Sequence, residues 1–158
     1  MLFRSRSIWA EACAAWAKVC NLTFEEILDP AKATIRVSWE RIDGPGGTLA
    51  YAYLPGTCGG DLAGDSAFDI DDGYEQGRLL QTMTHELGHL IGFYHSDKPR
   101  SIMWPYSNGG GSVISNDDAA GAVALYGPPK SDKPPKPSDI SHMATRMELY
   151  TSGSIMSD

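Results

Sequence analysis

The sequence predicts an α/β domain, a sandwich of helices against a mixed sheet. Three observations lead there. Arg78 to Ile91 carries Leu79, Leu80, Met83, Leu87, Leu90 and Ile91 at helical spacing, giving a broad apolar face. Ala33 to Trp39 alternates Ile35, Val37 and Trp39 with polar residues, the period of a half-buried strand. Helical and strand periods also succeed one another along one chain of 158 residues, long enough to bury a core.

In chain order, Ser7 to Cys20 reads as an Ala-rich amphipathic helix, with Ile8, Ala12, Ala15, Trp16 and Val19 on one side. The strand 33–39 follows, and Thr48 to Tyr53 reads as another. The helix 78–91 stops at Gly92, which can take a left-handed conformation. Asn116 to Gly127 reads as a closing helix, with a Ser/Asn cap, Asp117 and Asp118 in its first turn, and Gly127-Pro128-Pro129 at its end. Pro128 to Pro137 is a charged, polyproline-type linker, with a Pro-rich ligand for a partner domain as the alternative. The tail 138–158 shows no clear periodicity, and its role is open between a second module and added sequence.

Composition narrows the class. Hydrophobic residues make up 42% and charged residues 21%, the balance of a globular chain. The net charge of -7 argues against a nucleic-acid surface. No apolar run approaches a membrane span, and Met1 to Arg6 holds no signal-peptide core. A monomer acting on a peptide or protein substrate is expected, without nucleic acid or membrane. Cys13 and Cys20 stand about 10 Å apart by helical rise and cannot bridge each other. Pairing of one of them with Cys58 stays open, and no disulfide is the preferred reading.

The chemistry concentrates in His85-Glu86-Leu87-Gly88-His89-Leu90-Ile91-Gly92-Phe93-Tyr94-His95, or H-E-x-x-H-x-x-G-x-x-H. From this chain's residue frequencies the pattern arises by chance on the order of once in 100,000 sequences. His85 and His89, four apart, share one helical face. After Gly92 the chain turns, so His95 can approach the same metal from outside the helix. Three neutral imidazoles leave a fourth zinc position for water, as a catalytic site requires. Glu86 adjoins a ligand too closely to bind the metal itself, yet it can reach the water as a base. Three ordinary histidines on a half-buried helix are the alternative, which this spacing disfavours.

This extended motif is that of the metzincins, and Ser96 after the third histidine resembles the matrixin branch. Ser101 to Tyr106 resembles the family's Met-turn, with Met103 eight residues after His95. Segment 116–127 is similar to the closing helix. Asp43 to Tyr53 is similar to the matrixin loop and edge strand, and Ala67 to Asp72 to the acidic stretch after it. The resemblance runs from about Ser7 to Gly127. It implies a zincin-like catalytic domain over 1–127: a twisted mixed sheet with an N-terminal helix, an active-site helix and a C-terminal helix. It also implies secretion. Matrixins begin with a further strand before the first helix. Only six residues precede Ser7, so the chain is a fragment or another segment fills that slot.

The resemblance implies a zinc endopeptidase, with Glu86 as general base and Met103 as an apolar floor beneath the metal. Substrate would lie along the edge strand, touching Leu49 and Ala50, with Gln81, Thr82, Pro105 and Tyr106 walling the pocket beside the zinc. Loop 107–115 is Gly-rich and one residue shorter than usual, which leaves the pocket-wall tyrosine position open between Tyr106 and Ser107. Where matrixins place histidines for a second zinc, this chain has Tyr51 and Ala67, and one zinc is expected. Calcium is implied at Asp43, Asp69 and Asp72 with the carbonyls of Gly44, Gly46 and Thr48, since hard cations favour oxygen ligands. Two other readings are an inactive zinc- or peptide-binding module and a calcium-stabilised interaction domain.

Overall fold

The structure is a computed structural model. It describes residues 2–56, 60–106, 113–130 and 145–149, with side chains of 2–4 and 145–149 excepted. Cys58, loop positions 107–112 and most of the linker and tail lie outside the described residues.

The elements run α1 (Leu2–Val19), β1 (Phe24–Glu26), β2 (Ile35–Glu40), β3 (Ala50–Ala52), β4 (Asp65–Asp69), α2 (Gln76–Leu90), α3 (Asn116–Tyr126) and β5 (Thr145–Leu149). Short 3-10 turns at Pro30–Lys32 and Gly60–Leu62 lie between strands. The five strands form one mixed sheet in the order β1-β5-β2-β4-β3. All neighbours are parallel except the edge pair β3 and β4, which is antiparallel, with Tyr51 opposite Ala67.

Three differences from the sequence reading stand out. The first helix starts at Leu2 rather than Ser7. Its buried stripe includes Ile8, Ala12 and Trp16 as expected, but also Trp9 and Cys13, because the helix packs on α2 and also meets the sheet through Trp9 and Phe68. The tail supplies a strand. Residues 145–149 lie between β1 and β2, parallel to both, so Phe24 pairs with Thr145 and Ile35 with Met147. Tail periodicity gave no hint of it, because a strand's place in a sheet is set by partners distant in sequence.

The core lies between the sheet and the crossed pair α1 and α2. Trp9, Trp16, Phe68, Met83, Leu87 and Met103 are fully buried there. Trp9 meets Phe68 edge-on at 6.1 Å, and Trp16 lies 5.0 Å from Phe93. The indole N–H of Trp16 donates to the Thr84 carbonyl at 2.9 Å, fixing α1 against α2 one residue before the first histidine. Cys13 and Cys20 are buried, and the Cys20 thiol donates to the Trp16 carbonyl at 3.3 Å. Burial pushes the Cys13 thiol up to about 12, so it packs as a small apolar group.

Candidate metal centre and catalytic cleft

Helix α2 and the turn after it build the centre. His85 and His89 project from one face of α2, both partly buried. The helix gives way at Ile91, and Gly92 takes φ 98°, a left-handed value that any side chain would strain. The reversal brings His95 back to the helix. The Nε2 atom of His89 lies 3.1 Å from that of His85 and 3.2 Å from that of His95. No other set of at least three His, Cys, Asp or Glu side chains gathers so closely among the described residues.

Hydrogen bonding decides which nitrogens face inward as lone pairs. His85 Nδ1 is 2.7 Å from the Ile102 carbonyl, and His89 Nδ1 is 2.7 Å from the Phe93 carbonyl. A carbonyl can only accept, so both Nδ1 atoms carry hydrogen and both Nε2 atoms hold lone pairs. Such lone pairs repel unless a cation lies between them. Their spacing is close to the edge of about 3.3 Å expected for a tetrahedron of imidazole–zinc bonds. Burial holds the His85 imidazole down at about 4, so it stays neutral and ready to ligate at neutral pH. The donor set fits zinc.

Glu86 is 6% exposed, and its Oε2 has no hydrogen-bond partner among the described residues. Desolvation alone raises its carboxyl to about 8. A carboxyl group left buried without a partner is costly for stability when it ionises.

Met103 is buried, and its amide N–H donates to Ser101 Oγ at 2.9 Å. A Cβ on Gly88 would overlap Met103 Sδ and stand 3.1 Å from Trp16. The fourth motif position is therefore glycine for packing. Gly88→Ala is expected to lower stability by about 1–3 kcal/mol through overpacking. A thermal or urea melt checks it, and an unchanged midpoint would mean that Met103 can move aside freely.

The sequence reading took Asp118 only as an acid in the first turn of α3. Its carboxylate is 3% exposed and gathers donors from two segments. Oδ1 accepts from Ser101 Oγ, and Oδ2 accepts from the Ile102 amide at 2.9 Å, the Ser115 amide at 2.8 Å and Ser115 Oγ at 2.6 Å. Ser115 caps α3 in return, completing a capping box. Burial opposes ionisation, but the bonds from Ser101, Ser115 and the two amides outweigh it and hold the carboxyl below its ordinary range. The Ile102 carbonyl in turn faces His85, so Asp118 anchors the residue whose carbonyl orients that imidazole.

A cleft of about 620 Å³ runs between α2, the segment 101–106 and the edge strand β3. Leu49, Ala50, Gln81, Thr82, Pro105 and Tyr106, all expected in the substrate site, line it together with Glu86 and the three histidines. The Leu49 carbonyl is taken by the Asp69 amide at 2.9 Å and by the Tyr74 hydroxyl, so it is turned into the sheet. Antiparallel pairing alternates, and the main-chain groups of Ala50 and Ala52 face away from β4 towards the cleft. Ala52, which also lines the cleft, was missed for want of the register.

The carboxylates of Asp43, Asp69 and Asp72 do not converge as a ligand set. Asp43 accepts from the Thr48 amide. Asp69 accepts from the amides of Asp43, Gly44 and Asp71, with the Asp71 bond foremost in holding its carboxyl low. Asp72 Oδ1 accepts from the Gly46 amide at 2.7 Å, while its Oδ2 is buried with no partner among the described residues. Amide donors thus do part of the neutralising work expected of a cation. Tyr51 spans β4 to donate its hydroxyl to Glu40 on β2 at 3.1 Å.

Comparison with known proteins agrees with this geometry. Residues 4–127 match the matrixin family. The chain is similar to karilysin of Tannerella forsythia, 34% identical over 146 residues covering 85% of this chain and 30% of that protein. It is similar to human matrilysin, 37% identical over 134 residues covering 75% and 49% respectively. It is also similar to human matrix metalloproteinase-20, 35% identical over 160 residues covering 90% and 32%. The chain thus spans about a third to a half of the length of these relatives. Within the described residues, no helix is long and apolar enough to cross a membrane. Motif, cleft and matched span together place the chain in the matrixin family of zinc metallopeptidases.

Proposed function

We propose that this chain is a zinc-dependent endopeptidase in which Glu86 is the general base. The observation that carries the proposal is the convergence of three Nε2 lone pairs, two of them locked by carbonyl-bound Nδ1 atoms, beside a buried and unpartnered carboxylate. Zinc, when bound, acidifies a water towards a pKa of ~7 and polarises the scissile carbonyl. His85, His89 and His95 hold the ion. Glu86 takes a proton from the attacking water and returns it to the leaving amine.

Substrate adds to the edge of the sheet as an extended strand, pairing with the outward main-chain groups of Ala50 and Ala52. The side chain beside the scissile bond enters the cleft between Gln81 and Thr82 on one wall and Pro105 and Tyr106 on the other. The family resemblance has the enzyme act outside the cell, as a monomer. Hydrolysis of an internally quenched peptide by the zinc-loaded chain, lost on metal stripping and regained on zinc addition, is the expected outcome. Stoichiometric zinc uptake without any hydrolysis would instead mean a binding module.

The same reading gives the acidic loop a calcium ion, with the orphaned Asp72 Oδ2 as the atom it satisfies and Asp43, Asp69 and the carbonyls of Gly44, Gly46 and Thr48 nearby in the loop. A ligand that binds only the folded chain stabilises it by about 2.7 kcal/mol at 100 times its dissociation constant. Calcium removal with zinc retained should therefore lower the melting temperature. A melt that ignores calcium would leave the loop to its amide donors alone.

A further inference from the structure

The cleft contains one permanently charged side chain. Arg78 lies seven residues before His85 and eleven before His89, spacings that return to the same face of α2 after two and three turns. It lines the same cleft as Gln81, Thr82 and Tyr106, and among the described residues it is the only lysine or arginine that does so. The side chain is exposed, and no ion pair reaches it among the described residues. By contrast Arg6, Lys32, Arg36, Arg41 and Lys98 each have a carboxylate partner.

Helix stability does not account for an arginine at this place. Arg78 is the third residue of α2, and a cation in the first turn opposes the helix dipole. Glu75 stands at the N-cap but makes no side-chain cap bond, and no acidic residue follows it in the first turn. Arg78 therefore adds its charge to the positive end of the helix at the wall of a substrate cleft, on a chain whose net charge is -7.

We propose that Arg78 is a specificity-determining residue that selects substrates with an acidic side chain, Asp or Glu, close to the scissile bond. The inference rests on the peptidase reading above and names the substrate class of that site. The Arg78 Cα stands about 10 Å from that of His85 along the helix, by a rise of ~1.5 Å per residue. An extended peptide advances ~3.3 Å per residue, so the guanidinium serves a side chain within about three residues of the cleaved bond. A carboxylate there receives charge-assisted, two-pronged hydrogen bonds that an amide of the same shape cannot match.

The test uses the full zinc-loaded chain and internally quenched peptides carrying Glu, Gln or Lys in turn at each of the three positions on either side of the scissile bond. At one position the Glu peptide should exceed the Gln peptide about 10-fold in kcat/KM, equivalent to about 1.4 kcal/mol. Arg78→Gln should bring that ratio close to one. Arg78→Glu should reverse the preference so that the Lys peptide is cut best. Ratios measured on one preparation are independent of how much of it is folded, and a reversal cannot arise from misfolding. Equal cleavage of Glu and Gln peptides at every position, or a ratio unchanged in Arg78→Gln, would overturn the assignment while leaving the peptidase reading intact. Failure of the parent to cut any peptide would overturn both.

Discussion

Glu86→Gln is expected to lower peptide cleavage by ~100- to 10,000-fold while leaving one zinc bound per chain. The amide keeps the size and shape of the side chain but cannot accept the proton of the attacking water. The ligand nitrogens of His85 and His89 are untouched, because their orientation comes from the Ile102 and Phe93 carbonyls rather than from Glu86. His89→Ala should differ in kind. It removes a ligand, so zinc content and activity fall together. Elemental analysis and kcat/KM on the same samples separate the two cases. Full activity in Glu86→Gln, on a peptide that the parent cuts, would rule out the mechanism proposed here.

The same variant has a second signature in the metal-free chain. Burial raises the Glu86 carboxyl from 4.5 to about 8, so the folded state favours its neutral form. The stability contributed by that neutral form is fully present below pH 4.5 and is lost as pH rises through about 8. Glutamine does not titrate. The unfolding midpoint of metal-free Glu86→Gln should therefore gain on the parent as pH rises through this window. A constant difference across it would mean that Glu86 is hydrated in solution.

The parts of the site that were legible in the sequence are those whose partners are close along the chain. His85, His89, Gly92 and His95 lie within one helix and one turn, so spacing alone predicts their convergence. Glu86 follows for the same reason. Legibility fails where partners come from afar. Asp118 looks like any acid in a helix's first turn, because the donors that define it are 16 and 17 residues away at Ile102 and Ser101. Ala52, not Leu49, offers free main-chain groups because of the β3–β4 register, which strand periodicity does not set. The strand 145–149 is invisible for the same reason, since its neighbours β1 and β2 lie more than 100 residues earlier. In the acidic cluster composition reveals the charge but not the loop amides of Gly44, Gly46 and Thr48 that donate to these carboxylates.

Asp118→Ala is expected to weaken zinc binding about 10- to 100-fold although Asp118 touches no ligand nitrogen. The route is short. Without the carboxylate, the buried Ile102 amide and the Ser101 hydroxyl lose their acceptor, each at a cost of about 1–3 kcal/mol. The peptide unit that they anchor then shifts, and with it the Ile102 carbonyl that sets the tautomer and tilt of His85. A simple cap would behave otherwise. Ser115→Ala removes the cap of α3 at about 1 kcal/mol but leaves Asp118 bound to Ser101 and Ile102. Ser115→Ala should thus lower the unfolding midpoint and keep zinc affinity close to that of the parent. Chelator competition at neutral pH measures the affinity, and a urea melt the stability. If Asp118→Ala lost stability yet held zinc within about twofold of the parent, Asp118 would be a helix cap alone, and the segment 101–103 would owe its position to the packing of Met103 against Gly88.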